Sequence, residues 1–104
     1  MLSEVLSLAK INELKIGMRN VSLRAKIVEL PEPRSVKTKL GYKTQVATAT
    51  VEDESGKIKL TLWGKQMQKI GEGDTVEIRG GYLTEFRGEL QLNVAREGEI
   101  KAIR

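Results

Sequence analysis

Seven consecutive residues, Lys57 to Trp63, alternate without a fault: Ile58, Leu60 and Leu62 fall on one side, and Lys57, Lys59, Thr61 and Trp63 on the other. Successive side chains of a strand point to opposite faces, so this segment predicts a strand with one dry and one wet face. Asp53-Glu54-Ser55-Gly56 just before it is a tight-turn signal, which makes the strand one arm of a hairpin. The other arm is expected from Tyr42 to Glu52, where Thr and Val are frequent.

The same period recurs along the chain. Val21, Leu23, Ala25 and Ile27 alternate with Ser22, Arg24 and Lys26 in a first strand. Its phase slips at Ile27-Val28, as at a β-bulge or strong bend. Pro31 and Pro33 end it, since neither can donate a ladder hydrogen bond. Residues 31–41 read as a polar loop ending in Gly41. A fourth strand is expected over 74–82, with Val76 and Ile78 inward and Glu77 and Arg79 outward. Residues 83–88 read as a hairpin loop, and Glu89–Val94 as a fifth strand with Leu90, Leu92 and Val94 inward. Residues 64–73 break the strand rhythm, and Met67 and Ile70 fit one or two helical turns plugging the bottom of a barrel. Leu2, Val5, Leu6 and Ala9 have helix-like spacing, and Ile11, Leu14 and Met18 read as a lead-in tucked against the body, with a turn at Gly17. Arg96 to Arg104 reads as a polar end from which Ile100 and Ile103 pack back.

Short hairpin-linked strands carry exposed edges unless they close on themselves. The expected fold is therefore all-β: a five-stranded oligonucleotide-binding (OB) barrel with a short helix or turn between the third and fourth strands. An SH3-like barrel is the alternative, but it gives residues 64–70 no role. The partition is a lead-in at 1–19, the barrel at 20–96 and the polar end at 97–104. A chain of 104 residues suits one such domain.

Composition narrows the chemistry. Cys and His are absent, which removes disulfides, thiolates and the commonest general base and metal ligand. Asp53, Glu54, Asp74 and Glu77 fall into no acid/base or ligand spacing, and Gly71-Glu72-Gly73-Asp74 lacks the features of a phosphate-binding loop. No enzyme activity, cofactor or metal is expected. Nothing approaches the roughly 20 apolar residues of a membrane span, and Met1 to Ile11 does not read as a signal peptide. A soluble cytoplasmic monomer, nucleoid-associated in a prokaryote, is the expectation.

A formal charge of +4 permits a polyanionic partner. Its distribution says more: Arg34, Lys37, Lys39 and Lys43 cluster around the first loop. Trp63 shares a strand face with Lys59, an arrangement suited to stacking on a base beside phosphate-pairing lysines. Its bland reading is a lid on one end of the barrel. Phe86 sits beside Arg87 in a loop, either to meet a ligand or to fold back on the rim. Counting from Val76 and Ile78 puts Tyr82 on the inward phase, unless a bulge at Gly80-Gly81 turns it out. Arg24 and Lys26, with Gln91 and Asn93, would extend the groove. These residues point to single-stranded nucleic acid, DNA or alternatively RNA. The competing class is a protein-interaction domain or a subunit of a larger complex.

Three stretches sharpen this: KINELKIGMRNV near the start, VEDESGKIKLTLWGK in the middle and YLTEFRGELQLNV near the end. In that order they resemble archaeal single-stranded DNA-binding proteins with one OB domain. They are similar too to replication protein A domains and to the human single-stranded DNA-binding protein of the sensor complex. The resemblance covers about residues 10–95. It implies base stacking by Trp63, Tyr82 and Phe86, and backbone contacts from Arg24, Lys26, Arg34, Lys37, Lys39 and Lys43, with Lys59 and Arg87 as further candidates. It also implies weak sequence preference and a place in replication, recombination or repair beside partner proteins. In some relatives another aromatic lies near the position of Asn93, which is polar here.

Overall fold

The computed structural model describes residues 8–103. The turn expected over 2–9 lies outside them apart from Leu8 and Ala9, which are irregular. Strand β1 spans Val21–Glu29, β2 Arg34–Lys37, β3 Lys43–Asp53, β4 Gly56–Trp63, β5 Thr75–Phe86 and β6 Glu89–Ala102. Strand β1 pairs antiparallel with both β3 and β5, β5 with β6, and β3 with β4. The ring closes through three parallel pairs, Lys59↔Gln91, Leu60↔Leu92 and Thr61↔Asn93. Strands β1, β3, β4, β5 and β6 thus form the five-stranded OB barrel, and β2 is a short addition to β3. The inward phases read from the sequence meet inside it: Leu23, Ile27, Leu60, Leu62, Ile78 and Leu92 are fully buried. The slip at Ile27-Val28 is a real irregularity, since Ile27 faces Val51 while Glu29 faces Thr50.

Between β4 and β5 lies a short 3-10 turn, Gly64–Met67, and Met67 and Ile70 pack against the core as expected. The lead-in is tied down by the β3–β4 turn. Asp53 Oδ2 accepts the Ile11 amide at 2.9 Å, and Ser55 Oγ accepts the Asn12 amide at 3.0 Å. Burial pushes the Asp53 carboxyl up, but the Ser55 hydroxyl and the amides of Ile11, Ser55 and Gly56 outweigh it and hold its pKa below the ordinary value.

Three segments differ from the sequence expectation. The loop at 31–41 contains β2, paired from Arg34↔Val46 to Lys37↔Lys43. Val36 is its one apolar residue, so no run of apolar alternation marks it. The hairpin loop at 83–88 is mostly strand: β5 reaches Phe86, and only Arg87 and Gly88 turn, at φ 53° and 78°. Positive φ at both central residues marks a type I′ turn, whose twist matches the strands. The fifth strand does not stop at Val94. As β6 it runs to Ala102, pairing Ile78↔Ile100 and Val76↔Ala102. Residues 97–102 are therefore barrel wall, and Ile100 packs on the core.

A bend lets one pair of strands serve two parts of the wall. The register of β5 on β6 shifts between Arg79 and Gly81, so that Gly80 alone stands against residues 95–98. Gly80 has φ +74°, and a Cβ there would meet Gly98 Cα at 2.8 Å. A Cβ on Gly98 would lie 2.5 Å from the Arg79 carbonyl oxygen. Both positions need glycine because two backbones touch there. Gly98→Ala is expected to cost about 1–3 kcal/mol in denaturant unfolding, on the scale of overpacking. Gly71→Ala, where a Cβ meets open space, is the matched control and should stay within about 0.5 kcal/mol. Equal stability of the two variants would mean that the crossing is not tight.

Candidate nucleic-acid interface

Strand register fixes which side chains share the wet face. Cross-strand partners lie on the same side of a sheet. Thr48↔Thr61, Thr61↔Asn93 and Tyr82↔Asn93 therefore make one row across β3, β4, β6 and β5. Thr50↔Lys59, Lys59↔Gln91 and Thr84↔Gln91 make the next. Trp63, opposite Val46, stands at the β4 end of this face, and Phe86 at the β5 end. Between them runs a groove of about 340 Å³, with Thr48, Thr61 and Gln91 on its floor and Arg34 on its wall.

All three predicted aromatics are exposed on this face: Trp63 by 45%, Tyr82 by 37% and Phe86 by 57%. The bend at Gly80 resets the alternation, so Gly81 and Leu83 are buried and Tyr82 turns out. The condition set for Tyr82 by the sequence is met. Trp63 is held at its backbone, where Gln66 Oε1 accepts its amide at 2.8 Å. Arg87 places its guanidinium 5.2 Å from the centre of the Phe86 ring.

The polar floor is internally oriented. Thr61 donates to Gln91 Oε1 at 3.3 Å, and Asn93 Nδ2 donates to Thr84 Oγ1 at 2.9 Å. Gln91 Nε2 and Asn93 Oδ1 are thereby left for other partners, such as a base edge. Lys59 donates to Thr50 Oγ1 at 3.0 Å and borders the floor.

The basic candidates separate into two groups. Arg34 and Lys37 line the groove, with Lys43 opposite Lys37 and Lys39 exposed at the tip of the β2–β3 ribbon. Ion pairs among the described residues both fall on Glu77, so these four cations hold no carboxylate partner there. Arg24 and Lys26 lie elsewhere. Arg24 Nε donates to Glu77 at 2.9 Å, and Arg79 Nε donates to the same carboxylate at 3.0 Å. The Arg24 hydrogen bond, with help from Arg79, holds the Glu77 pKa below its ordinary value against the opposing effect of burial. Lys26 faces Glu52 and Thr75, and neither it nor Arg24 lines the groove. The groove wall also uses Val36 and Thr38, which sequence reasoning passed over as loop. Their two-residue spacing was the one available signal.

The family described as single-stranded DNA binding protein Ssb-like, OB fold, matches residues 14–102. A protein named Single-stranded DNA binding protein Ssb, from Saccharolobus solfataricus, is 40% identical over 91 residues, covering 88% of this chain and 61% of the relative. Replication factor A of Methanothermobacter thermautotrophicus is 32% identical over 98 residues, covering 88% of this chain and 12% of that protein. The chain thus spans less than two thirds of the length of either. Among solved structures, the second OB-fold domain of replication protein A from Methanococcus maripaludis superposes with a TM-score of 0.78 at 25% identity, covering 94% of this chain and 96% of that one.

Proposed function

The chain belongs to the Ssb-like family of single-stranded DNA-binding proteins of the OB fold, and from that premise we propose that it binds single-stranded DNA, without catalysis, along the groove between Trp63 and Phe86. One observation carries the reading: three aromatic rings stand exposed on a single wet face beside cations that hold no carboxylate partner among the described residues. Every base has a π-face, so Trp63, Tyr82 and Phe86 serve any sequence. Arg34, Lys37, Lys39 and Lys43 supply sequence-independent contacts to phosphate. Duplex DNA hides its base faces in the stack and cannot use the rings. Binding holds a strand open by mass action, keeping it from re-pairing and accessible to replication, recombination or repair proteins. In this reading the protein acts as a cytoplasmic monomer.

Titration of one sequence as single-stranded DNA, duplex DNA and RNA tests the proposal. Single-stranded DNA is expected to bind at least about tenfold tighter than duplex, the scale of one lost stack. Equal affinity for duplex and single strand would overturn it. RNA bound as tightly as DNA would widen the ligand to both, since stacking and phosphate contacts ignore the ribose hydroxyl.

A further inference from the structure

The β2–β3 ribbon carries an aromatic that strand phase did not single out. Tyr42 is 66% exposed, and its neighbour Leu40 is 83% exposed. Both side chains project from the tip of the ribbon, away from the core. Register shows which way Tyr42 faces. The ladder Arg34↔Val46 to Lys37↔Lys43 continues by one further pair, because the Thr38 amide donates to the Tyr42 carbonyl at 2.8 Å. The Tyr42 amide donates back to Thr38 Oγ1 at 3.2 Å. Cross-strand partners share a face, and Thr38 lines the groove. Along β3, Tyr42 also shares its parity with Val46 and Thr48, both groove-lining. Tyr42 is thus on the groove side of the ribbon, four residues or about 13 Å along the strand from Val46, which pairs with Trp63.

Resting on the proposed function above, we propose that Tyr42 is a fourth stacking platform, which engages a nucleotide beyond those on Trp63 and Phe86 and so lengthens the bound strand. The occupant is a polynucleotide because of what surrounds the ring. Lys43 is its chain neighbour, Lys39 lies in the same turn and Lys37 lines the groove, and among the described residues none of them pairs with a carboxylate. Thr38, the cross-strand neighbour of Tyr42, and Val36 both line the groove. A span of about 13 Å far exceeds the ~3.4 Å rise between stacked neighbours, so Tyr42 meets a different nucleotide from the one on Trp63. A short oligonucleotide covers the central groove alone, and a longer one reaches the ribbon tip.

The test compares Tyr42→Ala, Tyr42→Phe and Trp63→Ala on short and long homopolymeric single-stranded DNA. Tyr42→Ala should weaken binding of the long oligonucleotide by about tenfold, reduce the number of nucleotides occluded per protein, and leave the short oligonucleotide unchanged. Tyr42→Phe should restore long-oligonucleotide binding, because the ring and not the hydroxyl stacks. Circular dichroism melts should match wild type, since the ring covers no core. Unchanged long-oligonucleotide binding in Tyr42→Ala, with Trp63→Ala impaired, would overturn the fourth platform and leave the groove standing. Unchanged binding in both variants would overturn the proposed function itself. An equal loss for short and long oligonucleotides would place Tyr42 in the central groove and also overturn the extension.

Discussion

Trp63→Ala is expected to weaken binding of single-stranded DNA by about tenfold to a hundredfold, the range of one lost base–aromatic stack. The folded barrel should barely notice. Trp63 is the last residue of β4, on the wet face, and its fixed hydrogen bond is made by the backbone amide to Gln66, which alanine keeps. Neighbouring Leu60 and Leu62 carry the core at that strand. Unfolding free energy should therefore move by no more than the roughly 0.5 kcal/mol typical of surface positions. The opposite pattern, a large loss of stability with affinity intact in the folded fraction, is what a tryptophan capping the barrel end would give, and it would sink the stacking assignment. Phe86→Ala should cost less affinity than Trp63→Ala. Phe86 ends β5 beside the Arg87-Gly88 turn and is more exposed than Trp63, 57% against 45%, so less of its ring is held in place before DNA binds.

How far the sequence reveals this site depends on what each residue's position is decided by. Trp63, Gln91 and Asn93 sit in stretches whose alternation is uninterrupted, Lys57–Trp63 and Glu89–Val94, so counting from the apolar residues places them correctly. Tyr82 is beyond a bend, where counting gives the wrong face. Only the contact of Gly80 with Gly98 resets it, and that is a long-range backbone approach no local pattern encodes. Strand β2 and the far half of β6 escape notice for a related reason. Arg34–Lys37 and the stretch from Arg96 to Lys101 are mostly polar or charged, and their strand character comes from pairing with β3 and β5. Tertiary pairing overrides composition there. Arg24 shows the reverse failure. Its outward phase is correct, but a barrel has outward positions all round, and only the ladder Arg24↔Glu77 shows that it faces away from the groove.

That separation of charges makes the salt response diagnostic. If Arg34, Lys37, Lys39 and Lys43 each neutralise one phosphate, the logarithm of affinity should fall with the logarithm of salt at a slope of about −3, taking roughly 0.7 per contact for single strands. Between 50 and 200 mM salt, affinity would then drop about fiftyfold. The double variant Arg34→Ala/Lys37→Ala should flatten the slope by about 1.4, because both side chains line the groove. Arg24→Ala should leave the slope unchanged. Its guanidinium is already held by Glu77, which is 4% exposed, and a group engaged by a buried carboxylate releases no counterion when DNA arrives. A flat response in the wild type would remove the phosphate contacts from the mechanism. A slope reduced equally by Arg24→Ala and by a single Arg34→Ala would mean that the strand leaves the aromatic face and wraps onto β1. The pairing of Arg24 and Arg79 on one carboxylate argues against such a path: to meet phosphate there, DNA would have to pull an arginine off Glu77 and leave that buried charge half-compensated. The ribbon side carries no such penalty, so phosphate contacts should concentrate at the β2–β3 end of the groove.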